Sequence, residues 1–206
     1  VIIVGAGFAG LSAAVDLADR GVRVLVLEAN RHLGGRATAY RSSVSGGSID
    51  NGQHVLFGCY HETFRFLRRL GVDRDVELQR TLTVDSIDTD GTLTTFDCPH
   101  LPPPFNLVAG VFEWDRLPLS ERMAMLRLIP PLFRAQRERA CELHWVSADE
   151  TVSAWLERHG QGPRIRQLLW DPLAVAALNQ QPDRAAAKSF VRVLSALCGP
   201  NSGDSA

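Results

Sequence analysis

The sequence has no run of ~18 apolar residues, so no segment reads as a membrane-crossing helix. It has no basic surplus either: 22 Lys and Arg face 23 Asp and Glu, a net charge of −1. A nucleic-acid footprint needs Lys and Arg gathered on one face, so no nucleic-acid partner is expected. Cysteine is scarce. Cys59, Cys98, Cys141 and Cys198 are scattered without a CxxC or metal-ligand spacing, which points to a reduced, cytoplasmic setting. His61, His100, His144 and His159 form no ligand pattern, so no metal is expected. There is no basic leader of a signal peptide, no internal repeat and no long linker. The chain opens at Val1, inside an apolar run, and the expectation is that residues precede it. What is present is 206 residues, 45% of them hydrophobic, enough to build a core in one or two domains.

The most informative stretch is VIIVGAGFAGLSAAVDLADRGVRVLVLEA. Val1 to Val4 is apolar, β-branched and ends at glycine, the pattern of a buried strand. Phe8 to Arg20 reads as a helix, with Leu11, Ala14, Val15 and Ala18 at helical spacing and Gly21 as its stop. Val22 to Leu27 reads as a second strand, closed by Glu28. Gly5, Gly7 and Gly10 spell GxGxxG across the first turn. Gly5 makes the turn, Gly7 lets the backbone approach a pyrophosphate, and Gly10 lets helix and strand pack closely. The helix N-terminus, at Phe8 and Ala9, offers free N–H groups to an anion. Glu28, followed by Ala29, can accept from a ribose 2′-OH, and its charge repels a 2′-phosphate. Strand, glycines, helix, strand and acid in register imply a ligand with an ADP moiety, either FAD or NAD.

Beyond the motif, SSVSGGSIDNG carries turn chemistry near Ser45 to Gly47 with room for a short strand on each side. Tyr60 to Leu70 has Phe64, Leu67 and Leu70 at helical spacing, with Arg65, Arg68 and Arg69 as a solvated face and Gly71 as a cap. Thr81 to Asp97 alternates on both sides of Asp90-Gly91, a hairpin signal. CPHLPPPFNLVAGVF carries no formal charge, and predicts an extended, proline-rich lead into a short helix. Phe105 to Phe112 in that run is either a helix dipping into a membrane surface or an ordinary buried helix. Leu119 to Glu142 reads as a helix interrupted near Pro130-Pro131. Val152 to His159, Pro163 to Leu178 and Arg184 to Leu197 read as further helices. The expected fold class is α/β: a Rossmann-like cofactor domain over 1–75, a second α+β, mostly helical substrate domain over 76–200, and a tail over 201–206.

EANRHLGGRATAY places Gly34, Gly35 and Arg36 after the acid. The pattern E-x5-GGR resembles the FAD-binding start of the flavoprotein family that includes amine oxidases and phytoene desaturases. The resemblance implies FAD rather than NAD, with Arg36 near the pyrophosphate, where an arginine fork suits phosphate. The plainer alternative for Arg36 is a solvated loop charge. DNGQHVLFGCYHETFRFLRRLG and LLWDPLAVAALNQQPDRAAAKSFVRVL together resemble the hydroxysqualene dehydroxylases of bacterial hopanoid synthesis. That resemblance runs from Val1 to about Leu197. It implies reduction of hydroxysqualene to squalene, with hydride from reduced FAD and loss of water, in an apolar pocket that excludes bulk water and protonates a poor leaving group. It also implies an apolar isoprenoid substrate and peripheral contact at the inner face of a membrane. Members of the superfamily run on into a segment that completes the FAD site. The closing LCGPNSGDSA does not resemble that continuation, so a fragment of a longer chain is expected.

In related flavoenzymes the segment after GGR passes near the flavin. This gives Asp50 to His54 a reading: Asn51, Gly52 and Gln53 against the ring's polar edge, and His54 or Asp50 as the acid. The alternative is a set of satisfied turn residues. Trp170 and Asn179 are candidates for a substrate channel, although a Trp at this helical spacing is more often plain core. A desaturase or amine oxidase, taking hydride from its substrate, stays open. So does a reading of another class, a non-catalytic piece that cannot complete its cofactor site.

Overall fold

A computed structural model describes residues 1–50, 56–87, 91–138 and 143–199. The chain divides into two compact units, Val1–Leu56 with Tyr60–Val76, and Phe57–Cys59 with Glu77–Ala206.

The first unit is built on a parallel β1-α1-β2 crossover. Strand β1 (Ile2–Val4) pairs with β2 (Leu25–Leu27) in the register Ile3 to Val26, and α1 (Phe8–Asp19) connects them. Along both strands the middle residue is the more buried, because Ile3 and Val26 share one face of the pleat. β2 begins three residues later than the apolar pattern predicts. The cause is local: the Val22 N–H is spent on the Leu17 carbonyl at 3.0 Å, closing the C-terminus of α1 beside the Gly21 to Ala18 bond. Strands β3 (Ala39–Arg41) and β4 (Ser48–Asp50) form the small antiparallel hairpin expected around Ser45 to Gly47. Ser42 Oγ organises its turn by accepting from the Val44 and Ser45 N–H groups. Helix α2 (His61–Leu70) buries Phe66 and Leu67 and stops at left-handed Gly71. Phe66 meets Phe8 edge-on, with centroids 6.1 Å apart, and Arg69 donates to both Asp19 oxygens through one guanidinium edge, Nε and Nη2.

The second unit opens with the antiparallel pair β5 (Thr83–Ile87) and β6 (Leu93–Asp97). Asp90 of the predicted turn lies outside the described residues, and Gly91 has φ +81°. Phe96 points inward and packs on Trp114 at 4.9 Å. Seven α-helices follow among the described residues: α3 (Phe105–Glu113), α4 (Leu119–Met125), α5 (Ile129–Arg137), α6 (Val152–Arg158), α7 (Pro163–Ile165), α8 (Asp171–Leu178) and α9 (Ala187–Leu197). They share a core that includes Leu128, Leu132, Trp155, Leu156, Ile165, Trp170, Phe190 and Leu194. The interruption expected near Pro130-Pro131 is present: a 3-10 turn at Leu126–Leu128 separates α4 from α5, and the prolines occupy the first turn of α5, where an N–H has no intrahelical acceptor. Pro163 to Leu178 is helical throughout, as expected, but a π-helical segment at Arg166–Trp170 lies between α7 and α8, and Pro172 has no N–H for the Leu168 carbonyl.

Helix α3 buries Asn106, Leu107, Gly110 and Val111 and leaves Phe105 52% exposed. No helix among the described residues is long and apolar enough to cross a membrane. Cys59, Cys98 and Cys198 form no disulfide, and burial pushes Cys98 and Cys198 up to about 12, which makes these two packing residues rather than nucleophiles.

Candidate cofactor site

The site is assembled from backbone before any side chain joins it. Chain leaves β1 through Gly5-Ala6-Gly7 and enters α1 at Phe8, with Gly7 as an N-cap in extended conformation and no side chain capping the helix. The first N–H groups of a 12-residue helix are therefore open to an anion. Gly10 sits one turn in. A Cβ there would stand 2.0 Å from the Gly5 carbonyl oxygen, so only glycine allows α1 to lie this close to the turn.

A second glycine segment docks on the first. The Gly34 N–H donates to the Ala6 carbonyl at 2.8 Å, and Gly7 and Gly34 form a parallel bridge. Gly35 has φ +63°, and a Cβ on it would lie 3.1 Å from Gly7 Cα. Two stretches far apart in sequence thus make one side-chain-free surface beside the α1 N-terminus. Arg36 follows at once. It is exposed and has no hydrogen-bond or ion-pair partner among the described residues.

Glu28 stands at the exit of β2. Its Oε2 accepts from the Ala6 N–H at 2.7 Å, and its Oε1 accepts from the Asn30 N–H at 2.9 Å and Asn30 Nδ2 at 3.0 Å. These donors, the Ala6 N–H foremost, hold the carboxyl below the usual glutamate range. Sequence reasoning singled out Glu28 but missed Ala6 and Asn30. The available signal was an Asn two residues past the acid, since Asn side chains favour short-range hydrogen bonds of this kind.

The other predicted residues fall as follows. Gly5, Gly7, Gly10, Glu28, Gly34, Gly35 and Arg36 come together, with Phe8 and Ala9 exposed at the first turn of α1 and Ala29 exposed beside Glu28. Asp50 is exposed at the end of β4, paired with Ala39. Asn51, Gly52, Gln53 and His54 lie outside the described residues. Trp170 and Asn179 belong to the second unit. Trp170 is 1% exposed, and its Nε1–H donates to Gln161 Oε1 at 3.0 Å. Gln161 in turn donates to the Ala124 and His159 carbonyls. Asn179 caps α8 in the left-handed region, φ 53°.

An open helix N-terminus, two glycine segments, an unpaired arginine and an ionised acid at the end of β2 define a protein that binds a dinucleotide through its ADP moiety. A family model of flavin containing amine oxidoreductases matches residues 8–202, and the chain belongs to that family. A flavin held through an ADP moiety is FAD, and FAD is the cofactor.

Among curated proteins the chain is 30% identical over 189 residues to a 15-cis-phytoene desaturase of an Oncidium hybrid cultivar, covering 89% of this chain and 31% of that protein. It is 28% identical over 199 residues to the 15-cis-phytoene desaturase of Synechococcus elongatus, covering 94% and 40%. It is 29% identical over 181 residues to the zeta-carotene desaturase of Solanum lycopersicum, covering 85% and 30%. The chain thus spans well under half the length of these relatives. Among solved structures, a putrescine oxidase variant superposes with TM-score 0.57 at 19% identity, over 98% of this chain and 42% of that one. Cyclohexylamine oxidase from Brevibacterium oxydans IH-35A gives 0.53 at 22%, over 98% and 44%. At these identities the likeness establishes the fold: a Rossmann-like FAD-binding part with a second, mostly helical part.

Proposed function

We propose that this chain is part of an FAD-dependent oxidoreductase acting on a long, apolar isoprenoid, and that its reaction is the reduction of hydroxysqualene to squalene with loss of water. The observation that carries the isoprenoid class is the likeness, over 85–94% of the chain, to proteins named as carotene and phytoene desaturases. The reductive direction rests on the DNGQH and WDPL stretches, Asp50–His54 and Trp170–Leu173. A second reading, desaturation of a carotenoid-type substrate, is favoured by those same desaturase relatives.

Bound FAD supplies hydride exchange with carbon. The chain's own residues would hold it: the α1 N-terminus and the backbone of Gly5, Gly7, Gly34 and Gly35 would take the pyrophosphate, Arg36 would add a guanidinium, and Glu28 would take the ribose. In the reductive reaction a hydroxyl must leave as water, so a side chain must give it a proton. His54, a residue type whose unperturbed imidazole titrates nearest neutral pH, or Asp50 has that role in this reading. Residues 1–75 then serve the cofactor and 76–200 the substrate, with Trp170 and Asn179 toward the channel. Trp170 contributes only its ring, since its N–H is engaged by Gln161. Peripheral contact with the inner face of the membrane belongs to the same proposal. It is supported by the charge-free Phe105 to Phe112 run and the exposure of Phe105.

The test is direct. The holoprotein is reduced anaerobically, hydroxysqualene is added, and flavin absorbance is followed while products are analysed by mass spectrometry. Squalene appearing in step with oxidised flavin supports the dehydroxylase. A flavin that stays reduced with hydroxysqualene, but bleaches from the oxidised form on adding phytoene, transfers the assignment to desaturation.

A further inference from the structure

Glu28 is more constrained than a ribose acceptor needs to be. An ionised carboxylate offers about four acceptor positions, two on each oxygen. Three are occupied here, and both positions on Oε1 are taken by one residue, Asn30, through its N–H at 2.9 Å and its Nδ2 at 3.0 Å. The fourth lies on Oε2, the oxygen that also receives the Ala6 N–H at 2.7 Å. Ala6 is fully buried, and its carbonyl is bound by the Gly34 N–H, so this one residue ties the glycine turn to the second glycine segment. Glu28 is therefore aligned against the part of the first unit that faces the pyrophosphate.

We infer that Asn30 is a positioning residue of the cofactor site: by filling both acceptor positions of Oε1, it turns the Glu28 carboxylate so that one open position on Oε2 is presented to a single ribose hydroxyl of the FAD adenosine. The inference rests on the assignment of Glu28 to that ribose. Replacing Asn30 by Ala removes only Nδ2: the Ala6 and Asn30 N–H groups still hold one oxygen each, but a second acceptor position, on Oε1, is reopened and competes with the one on Oε2. Asn30→Asp sets a second carboxylate where the donor was. Asn30→Ser restores a short side-chain donor at the same place. The Ala6 N–H, then the N–H and side-chain amide of Asn30, lower the Glu28 carboxyl; the nearby Ala29 N–H contributes least and makes none of the three hydrogen bonds, and no charged side chain contributes. In Asn30→Ala and Asn30→Ser a change is therefore read on Glu28 without a competing titration.

The experiment titrates FAD into the deflavinated holoprotein between pH 4 and 8, for wild type, Asn30→Ala, Asn30→Ser, Asn30→Asp and Glu28→Ala. Asn30→Ala is expected to weaken FAD about 2- to 10-fold, the effect of one lost hydrogen bond. Asn30→Asp should weaken it further, and Asn30→Ser should recover most of the affinity. The acid-side loss of affinity should begin at higher pH in Asn30→Ala, a shift that a residue merely shaping the loop would not cause. Glu28→Ala weakening FAD while every Asn30 variant keeps wild-type affinity and pH profile overturns the inference. Glu28→Ala binding FAD as wild type does overturns the ribose assignment itself, and the inference with it.

Discussion

Gly10 and Gly7 belong to one motif but do different physical work, and the structure separates them. A Cβ on Gly10 would sit 2.0 Å from the Gly5 oxygen, 3.1 Å from the Gly5 carbonyl carbon and 3.4 Å from Ile3 Cγ2. A carbon resting against a carbonyl oxygen needs about 3.3 Å, so the start of α1 must retreat by about 1 Å. The obstacle is backbone in a turn, and no rotamer relieves it. Overpacking of this kind costs about 1–3 kcal/mol, and the severity of the clash selects the upper end. Replacing a helical glycine by alanine returns about 1 kcal/mol. Gly10→Ala is thus expected to destabilise by about 2 kcal/mol, a fall in Tm of roughly 4–8 °C. Gly7 is the opposite case. Its φ of −76° suits any residue, and its Cβ would meet only Gly35 Cα, at 4.0 Å. Gly7→Ala costs no more than the about 1 kcal/mol of an alanine N-cap, yet its methyl group stands where the pyrophosphate must approach. Thermal unfolding of the apoprotein and FAD content of the purified protein read the two effects apart. Gly10→Ala should lose more Tm, and Gly7→Ala should lose its flavin while staying folded. A Gly10→Ala protein with wild-type Tm refutes the packing argument, and a yellow Gly7→Ala protein refutes the backbone approach.

Four further outcomes are expected. Glu28 is held below its ordinary value of 4.5, so its contribution to stability is present above pH 4.5 and lost as the pH falls through the depressed value; Tm should drop more steeply on that limb in wild type than in Glu28→Gln, and parallel curves refute this. Arg36→Ala should weaken FAD roughly 10- to 100-fold, as loss of charged hydrogen bonds does, with apoprotein Tm unchanged; a matching fall in Tm would show a structural arginine instead. Trp170→Phe leaves Gln161 Oε1 buried without its donor and should cost about 1–3 kcal/mol in denaturant unfolding; a change below about 0.5 kcal/mol contradicts the network. Phe105→Ser with Phe112→Ser should abolish flotation with liposomes, and unchanged flotation ends the membrane proposal.

What could be read from the sequence was whatever depends on neighbours in the chain. The β1-α1-β2 unit was legible because its glycines, its helical spacing and its closing acid all act within one crossover. The β5–β6 pair was legible from alternation alone. The errors have local causes that pattern reading weighs poorly. Val22 is apolar and alternates with its neighbours, but its N–H had already been claimed by Leu17, which delayed β2. By contrast, the interruption near Pro130 and Pro131 was legible, because a first helical turn has no use for their missing N–H groups and a helix restarts just before them.

The parts that stayed hidden are contacts across the chain. Glu121 caps α7 by accepting the Ile165 N–H at 2.6 Å, and Gln161 joins Trp170 to the Ala124 carbonyl. None of these has a sequence period. The cofactor site mixes both kinds. GxGxxG announces a turn that spares its backbone for a phosphate, and GGR announces another glycine segment with an arginine. Neither announces that Gly34 will bind Ala6, or that Gly35 will come so close to Gly7 that a methyl group would already be tight. That contact explains why glycines recur in both places. Each motif supplies one wall of a single surface, and a side chain on Gly35 would crowd the wall opposite it. The motif's acid is tied into the same joint, since Ala6, which receives Gly34 on its carbonyl, gives its N–H to Glu28. A substitution at Glu28 or Gly34 should therefore disturb the pyrophosphate end of the site as well as its own contact, because both act through the one buried residue between Gly5 and Gly7.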